Sequence, residues 1–180
     1  MSEARDYCLP AELVEAARRV VDANRAAGRR IAVAESCTAG LVCAALTEVA
    51  GSSDVLEAGF VTYSNRAKME LLGVSEDVID TFGAVSIAVA WGMAQGALKR
   101  TRADVSISIT GIAGPGGGSA RKPVGTVVFA RALRGENPKD VFADEREFGE
   151  EIGRGGVRLQ AALCALELLV PPDDAGAPPP

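Results

Sequence analysis

A buried strand that leads directly into a helix is the feature that most constrains how this chain can fold. The apolar run Ile31-Ala-Val-Ala34 suits a buried strand, and it breaks at Glu35 and Ser36 before an apolar helical pattern resumes at Leu41. Unpaired N–H groups and the positive end of a helix converge at such a turn. A serine at this position is therefore well placed for a nucleophilic attack that creates an oxyanion.

Helical and strand patterns alternate through most of the chain, and two strands follow one another near its end. The patterns predict helices over 10–27, 38–50, 65–72, 76–81, 86–100 and 154–169, and strands over 29–34, 58–63, 103–110, 124–133 and 139–148. This order predicts an α/β fold, a single three-layer α/β/α domain with a mixed central sheet that spans residues 1–170. Residues 171–180, rich in proline and aspartate, are predicted to form a disordered tail.

The chain contains no histidine, so a nucleophilic serine would need another activating group. Lysine and tyrosine are the leading candidates. Tyr63 ends a predicted strand, and Lys68 lies on the helix that follows it. A lysine held near a serine can act as a general base when desolvation or nearby positive charge lowers its pKa.

Two later segments carry candidate binding groups. The glycine-rich loop Thr110-Gly-Ile-Ala-Gly-Pro-Gly-Gly-Gly118 follows a predicted strand, where α/β folds often bind ligands, and it matches neither the dinucleotide fingerprint nor the Walker A loop. Arg154 and Arg158 lie four residues apart at the start of the last helix and could clamp a phosphate or a carboxylate. The alternatives are a flexible surface turn for the loop and a solvated cationic face for the two arginines.

The four cysteines are scattered and include no C-x-x-C pair. Without histidine they predict no zinc site, and no metal or other cofactor is expected. Cys37 lies beside Ser36 and could in principle be a nucleophile, but a small packing residue is the favoured interpretation because the thiol lacks its usual histidine base.

Charge and hydropathy exclude several classes of protein. The net charge of −5 argues against a general nucleic-acid binder, which would usually be basic. The charged N-terminus resembles no signal peptide, and no apolar run reaches the roughly 18 residues that span a membrane. A cytoplasmic protein with no membrane or nucleic-acid partner is predicted.

Four motifs, taken in order, resemble those of the family of the C-terminal domain of competence/damage-inducible protein A (CinA). They are Ala34-Glu-Ser-Cys-Thr-Ala-Gly40, Gly59-Phe-Val-Thr-Tyr-Ser-Asn65 with Lys68, Gly83-Ala-Val-Ser86 with Met93-Ala-Gln-Gly96, and the loop that Thr110 opens. Stand-alone members of this family are nicotinamide-nucleotide amidohydrolases. The resemblance implies hydrolysis of the carboxamide of nicotinamide mononucleotide to nicotinic acid mononucleotide and ammonia, in the recycling of pyridine nucleotides. The pyrophosphatase activity associated with the additional domain of full-length members is not expected.

The resemblance also implies which residues act. Ser36, Tyr63 and Lys68 match the family's catalytic group. Substrate contacts are expected from Glu35, Cys37, Thr38, Ala39, Gly40, Asn65, Thr110, Gly111, Gly114, Gly116, Arg154 and Arg158. Family members often self-associate, so a homo-oligomer is expected.

The implied mechanism makes Ser36 the nucleophile and Lys68 its base, with Tyr63 ordering the lysine or relaying a proton. The N–H groups of residues 36–39 would stabilise the oxyanion, and the loop and an arginine would hold the ribose phosphate. The competing hypothesis is a non-catalytic nucleotide-binding or sensing module with the same fold.

Overall fold

The computed structural model describes residues 7–137 and 141–172. Its helices are α1 (Ala11–Ala26), α2 (Leu41–Thr47), α3 (Asn65–Leu72), α4 (Glu76–Phe82), α5 (Ile87–Arg100) and α6 (Gly153–Leu169). Its strands are β1 (Ile31–Glu35), β2 (Leu56–Val61), β3 (Val105–Gly111), β4 (Thr126–Leu133) and β5 (Phe142–Glu147). Most of the predicted tail lies in 173–180, outside the described residues.

The five strands form one mixed sheet in the order β2-β1-β3-β4-β5. β1 is parallel to β2 and to β3, whereas β4 is antiparallel to both of its neighbours. The prediction of a mixed sheet is therefore confirmed. Because the carboxyl ends of β1, β2 and β3 meet at one edge, the segments that follow Glu35, Val61 and Gly111 converge there.

Helices cover both faces of the sheet, which confirms the three-layer architecture. Alternate strand residues such as Ile107 and Phe129 pack against α1, α2 and α6 in one apolar core. Their neighbours, such as Ala130, face α3, α4 and α5 in a second core. The buried serines of β3 face α5, where Ser106 and Ser108 donate hydrogen bonds of 2.7 and 2.6 Å to the carbonyl oxygens of Ala94 and Ala90.

The segment after β1 differs from the prediction of a helix over 38–50. Residues 36–40 form a turn, and α2 begins only at Leu41. Ala39 has φ +50° and Gly40 has φ +93°, so both lie in the left-handed region, which is incompatible with a regular α-helix. The turn therefore separates the serine from the helix.

Within the described residues, no helix is both long enough and apolar enough to cross a membrane.

Candidate functional site

Ser36 and Lys68 form a buried hydrogen-bonded pair. Ser36 follows β1, and its backbone N–H donates to the carbonyl oxygen of Ile109 on β3 at 2.9 Å. Lys68 projects from α3, and its Nζ donates to Ser36 Oγ at 2.9 Å and to the carbonyl oxygen of Thr62 at 2.8 Å. The exposed fraction is 7% for Ser36 and 1% for Lys68. A potential nucleophile and its potential base are thus in direct contact and shielded from water.

Burial lowers the pKa of the Lys68 amine, because the charged form loses its hydration. The nearby Cys37 acts in the opposite direction, but its effect is smaller. Within the described residues, Lys68 forms no ion pair with a carboxylate that could restore its charge. Lys68 therefore adopts the neutral form, which can accept the serine proton, more readily than an exposed lysine does.

The pair opens into a cavity of about 270 Å³. Ten of the fifteen predicted site residues line it, namely Ser36, Cys37, Tyr63, Asn65, Lys68, Thr110, Gly111, Gly114, Gly116 and Arg154. Sequence reasoning did not select the other lining residues, Ala84, Val85, Ile112, Ala113 and Gly117. Ala84 and Val85 belong to the Gly83-Ala-Val-Ser86 motif, so a signal for that wall was present in the sequence.

Tyr63 and Arg154 meet at the outer side of this cavity. Arg154 donates to Tyr63 Oη at 3.0 Å and to the carbonyl oxygen of Gly114 at 2.7 Å. Tyr63 is 58% exposed, so its hydroxyl is tied to the arginine at the surface rather than to the buried lysine. Tyr63, Gly114 and Arg154 thus connect the end of β2, the glycine-rich loop and the start of α6 through hydrogen bonds.

Glu35 lies outside the cavity lining, although substrate contact was expected of it. Its side chain is fully buried. One carboxylate oxygen accepts from the N–H groups of Gly40 at 2.9 Å and Val42 at 3.2 Å, and the other accepts from that of Cys43 at 3.0 Å. The carboxylate therefore satisfies the N-terminal amides of α2 and fixes the turn that follows Ser36.

Arg158 also serves the turn rather than the cavity. Its Nε donates to the carbonyl oxygen of Cys37 at 3.1 Å, and its Nη2 donates to that of Thr38 at 3.0 Å. Thr38, Ala39 and Gly40 are likewise absent from the lining: the Thr38 carbonyl oxygen accepts from Arg158, the Gly40 N–H donates to Glu35, and Ala39 is exposed to solvent. Of the two predicted arginines, only Arg154 lines the cavity.

Replacing Glu35 with glutamine is expected to destabilise the fold. The amide keeps one acceptor oxygen but directs an NH₂ group at backbone N–H groups, which leaves buried donors unsatisfied at a cost of about 1–3 kcal/mol. Urea unfolding should show this loss in the free energy of unfolding. Glu12→Gln, on the exposed first turn of α1, is the matched control and should change it by less than about 0.5 kcal/mol. Equal stability of the two variants would contradict the role given to Glu35.

Two of the four N–H groups of the turn at residues 36–39, which the sequence-based hypothesis assigns to an oxyanion, already have acceptors. The N–H groups of Ser36 and Ala39 already donate to backbone carbonyl oxygens. Those of Cys37 and Thr38 have no backbone acceptor within the described residues, and they lower the pKa of the Cys37 thiol, against the effect of burial. Burial nevertheless dominates and raises the pKa of the Cys37 thiol to about 11.

The glycine-rich loop is the better source of donors. Within the described residues, the backbone N–H groups of Ala113, Gly114, Gly116 and Gly117 have no protein acceptor, and all four residues line the cavity. Gly111 leaves no room for a side chain, because a Cβ would lie 2.7 Å from Val127 and 3.1 Å from the Cys37 sulfur. The close approach of the loop to the serine turn therefore depends on glycine.

The described residues contain no group of three or more cysteine, aspartate or glutamate side chains placed to hold a metal ion.

Sequence comparison relates the chain to known proteins over most of its length. A family model described as the CinA C-terminal domain matches residues 14–171. The chain is 47% identical over 161 residues to the nicotinamide-nucleotide amidohydrolase PncC of Escherichia coli K12, which covers 88% of this chain and 93% of that protein. It is 47% identical over 167 residues to the protein of the same name from Enterobacter agglomerans, which covers 93% of this chain and 94% of that protein.

Structural comparison agrees. The crystal structure of competence/damage inducible protein CihA from Agrobacterium tumefaciens superposes with a TM-score of 0.85 at 49% identity, covering 90% of this chain and 96% of that one. A competence-damaged protein (CinA) superfamily protein from Escherichia coli gives a TM-score of 0.81 at 35% identity, covering 89% of this chain and 91% of that one.

Proposed function

The chain belongs to the family of the CinA C-terminal domain, and from that premise we propose that it hydrolyses the carboxamide of nicotinamide mononucleotide to nicotinic acid mononucleotide and ammonia. The observation that carries the proposal is the buried contact of 2.9 Å between Lys68 Nζ and Ser36 Oγ at the edge of a cavity. A lysine with only a structural role would not be favoured at this position, because burying an ammonium group without a carboxylate partner costs free energy. Ammonia release from the mononucleotide by the purified protein is the experiment that tests it.

The reaction runs in two halves. Ser36 Oγ attacks the carboxamide carbon while the neutral amine of Lys68 takes the hydroxyl proton, which produces a tetrahedral oxyanion. The carbon–nitrogen bond then breaks, and the leaving nitrogen takes the proton from Lys68 and departs as ammonia. Water attacks the resulting serine ester, Lys68 accepts its proton, and the ester bond breaks to release the carboxylic acid and return the proton to Ser36.

Oxyanion stabilisation is assigned to the glycine-rich loop. Its residues Ala113, Gly114, Gly116 and Gly117 line the cavity that contains Ser36, and within the described residues their N–H groups have no protein acceptor, whereas two amides of the serine turn are already engaged. Preorganised backbone donors of this kind stabilise the charge that develops on the carbonyl oxygen. Tyr63 acts in this scheme through Arg154, which it orients, and not as a direct proton relay to Lys68.

Arg154 is the group that we assign to the phosphate of the substrate. It is exposed at the cavity, and its guanidinium spans from Gly114 to Tyr63. Arg154→Ala should raise the KM for nicotinamide mononucleotide by about 10- to 100-fold, in line with the loss of a charge-assisted hydrogen bond of about 1.5–3 kcal/mol. The kcat/KM for nicotinamide riboside, which lacks the phosphate, should change far less.

The control for this prediction is Arg121→Ala, an exposed arginine of the connection between β3 and β4 that does not line the cavity. It should leave the KM for the mononucleotide within about twofold. Equal losses for the riboside and the mononucleotide in Arg154→Ala would show that the arginine does not bind the phosphate.

A cysteine hydrolase that uses Cys37 is a weaker candidate, because burial disfavours its thiolate. Cys37→Ala should retain kcat within about tenfold, since the pKa of the thiol is raised to about 11 and little nucleophile forms at neutral pH. Steady-state kinetics of the purified variant check this. Complete loss of turnover in a folded Cys37→Ala protein would favour the thiol over Ser36.

A non-catalytic nucleotide-binding module remains the second candidate function, and its support is the set of loop N–H groups without a protein acceptor together with Arg154 at the cavity. It does not account for the Ser36–Lys68 contact, because a binder needs no serine–lysine pair. Four statements stay predictions: that the reaction belongs to pyridine nucleotide recycling, that it needs no cofactor, that the protein is cytoplasmic, and that it forms a homo-oligomer.

A further inference from the structure

A second cavity of about 1010 Å³ lies on the opposite side of the segment that closes the catalytic cavity. It is a groove between α3, α4, α5 and β5. Three large apolar side chains of this groove are unusually open to solvent, with exposed fractions of 54% for Phe82, 52% for Ile87 and 39% for Trp91. Contiguous exposed apolar surface of this kind marks a binding site more often than a random surface.

The groove is cationic although the chain is acidic. Among the described residues, Lys99, Arg100 and Lys122 line it together with one carboxylate, Glu145, whereas the whole chain has a net charge of −5. Lys99 and Arg100 lie at the C-terminal end of α5, whereas Lys122 lies beside Phe82 and Val85 at its start, about 20 Å away. Phe82, Ile87 and Trp91 belong to the half of the groove that holds Lys122. An apolar cleft with a cation at this end is complementary to a ligand that has an apolar body and an acidic group.

The groove and the catalytic cavity share one wall, the segment 82–86. Phe82 and Ser86 line the groove, whereas Ala84 and Val85 line the catalytic cavity. Thr110 holds this wall from the catalytic side, where its Oγ1 donates to the carbonyl oxygen of Ala84 at 2.9 Å.

Lys122 holds the same wall from the groove side. Its Nζ donates to the carbonyl oxygens of Phe82 at 2.9 Å and Val85 at 2.6 Å. Lys122 also belongs to the connection between β3 and β4, whose other end is the glycine-rich loop that lines the catalytic cavity. An acidic group in the groove would compete with the two carbonyl oxygens for this ammonium and so act on a wall of the catalytic cavity.

We propose that the groove is a second ligand site for a small molecule with a flat apolar body and one acidic group, and that its occupancy changes substrate binding through the segment 82–86. The binding half of this proposal stands on the groove alone, and the coupling half rests on the proposed amidohydrolase function. Coupling of this kind is reciprocal, so substrate must change the affinity of the groove ligand by the same factor.

The probe is 8-anilinonaphthalene-1-sulfonate, which has a flat apolar body and one acidic group and fluoresces when it is bound in apolar surroundings. Titration of the full chain should show one saturable site. Lys122→Gln, whose amide can still donate a hydrogen bond to the segment 82–86, should weaken binding at least tenfold. The matched control is Lys99→Gln combined with Arg100→Gln at the other end of α5, and it should leave the dissociation constant within about twofold; circular dichroism establishes that both proteins are folded.

Nicotinamide mononucleotide distinguishes coupling from competition when it is added to the Ser36→Ala protein, which should bind it without turnover. As the concentration of the mononucleotide rises, coupling changes the dissociation constant of the dye until it reaches a plateau, whereas competition keeps increasing it without limit. We expect a plateau, and the affinity of the Ser36→Ala protein for the mononucleotide should shift by the same factor when the dye is bound.

Four results would overturn the proposal. They are an absence of saturable dye binding, equal weakening by Lys122→Gln and by the double substitution, displacement by nicotinamide mononucleotide without a plateau, and dye affinity that falls as protein concentration rises. The last result would assign the groove to a second copy of the chain. Dye binding with no ammonia release by the wild type would instead count against the proposed function and leave the second site standing.

Discussion

Substitution of Ser36 with alanine is expected to lower the rate of ammonia release from nicotinamide mononucleotide by roughly 10⁴-fold or more, the scale seen when a serine nucleophile is removed. The expectation rests on its contact of 2.9 Å with Lys68 and on its place at the cavity edge. The loss should appear in kcat, because the groups that we assign to substrate binding remain in place. Steady-state kinetics and isothermal titration with the mononucleotide separate the two effects.

Ser53→Ala is the matched control, since Ser53 is an exposed serine in a short helical turn and does not line the cavity. It should keep kcat and KM within about twofold of the wild type. The thermal midpoint of Ser36→Ala should stay close to that of the wild type, because the lost hydroxyl accepts one hydrogen bond and packs little apolar surface. A folded Ser36→Ala protein with a wild-type kcat would remove Ser36 from the chemistry.

Replacement of Lys68 with methionine should lower kcat by about 10²–10⁴-fold, the range for a positioned acid–base group. Methionine fills a similar volume and adds no charge, so the cavity wall formed by α3 should be retained. The rate profile of the wild type should rise with pH as Lys68 loses its proton, with a midpoint below the usual lysine value because burial lowers the pKa of Lys68. This rising limb should be missing from the residual activity of Lys68→Met.

The same shift makes a prediction about stability whose sign follows from proton linkage. Since the pKa of Lys68 is lower in the folded state than in the unfolded chain, the unfolded state binds more protons between the two values. At pH values below the folded-state pKa, Lys68 is charged and its burial lowers the free energy of unfolding by the full amount. As the pH rises toward the usual lysine value, the buried amine becomes neutral and this destabilisation disappears. The free energy of unfolding of the wild type should rise relative to that of Lys68→Met across that window in urea titrations. A difference that is independent of pH would contradict a lowered pKa.

The general architecture could be predicted because local patterns and the fold agree. The strand Ile31–Glu35 and the helix Asn65–Leu72 have bounds close to their sequence-based predictions, since an apolar run and a serine cap determine them locally. The meeting of Ser36, Tyr63 and Thr110 at one cavity also follows from parallel strands, whose carboxyl ends share an edge of the sheet.

Residue roles that depend on the direction of a side chain could not be predicted. Lys68 by itself is a residue of a surface helix, and its burial depends on how α3 packs against the sheet. Arg154 and Arg158 have the same spacing pattern as any pair on one helix face, yet one lines the cavity and the other holds the serine turn. Glu35 next to Ser36 suggested substrate contact, but the three amide donors of α2 turn its carboxylate away from the cavity.

The central claim is that the Ser36–Lys68 pair makes this chain an amidohydrolase. The most direct test is incubation of the purified wild-type protein with nicotinamide mononucleotide in the presence of a chelator, with ammonia and nicotinic acid mononucleotide measured together over time. Equal amounts of both products, formed catalytically and absent with Ser36→Ala, are the expected result. Binding of the mononucleotide without either product would contradict the claim and leave the nucleotide-binding module as the function of this fold.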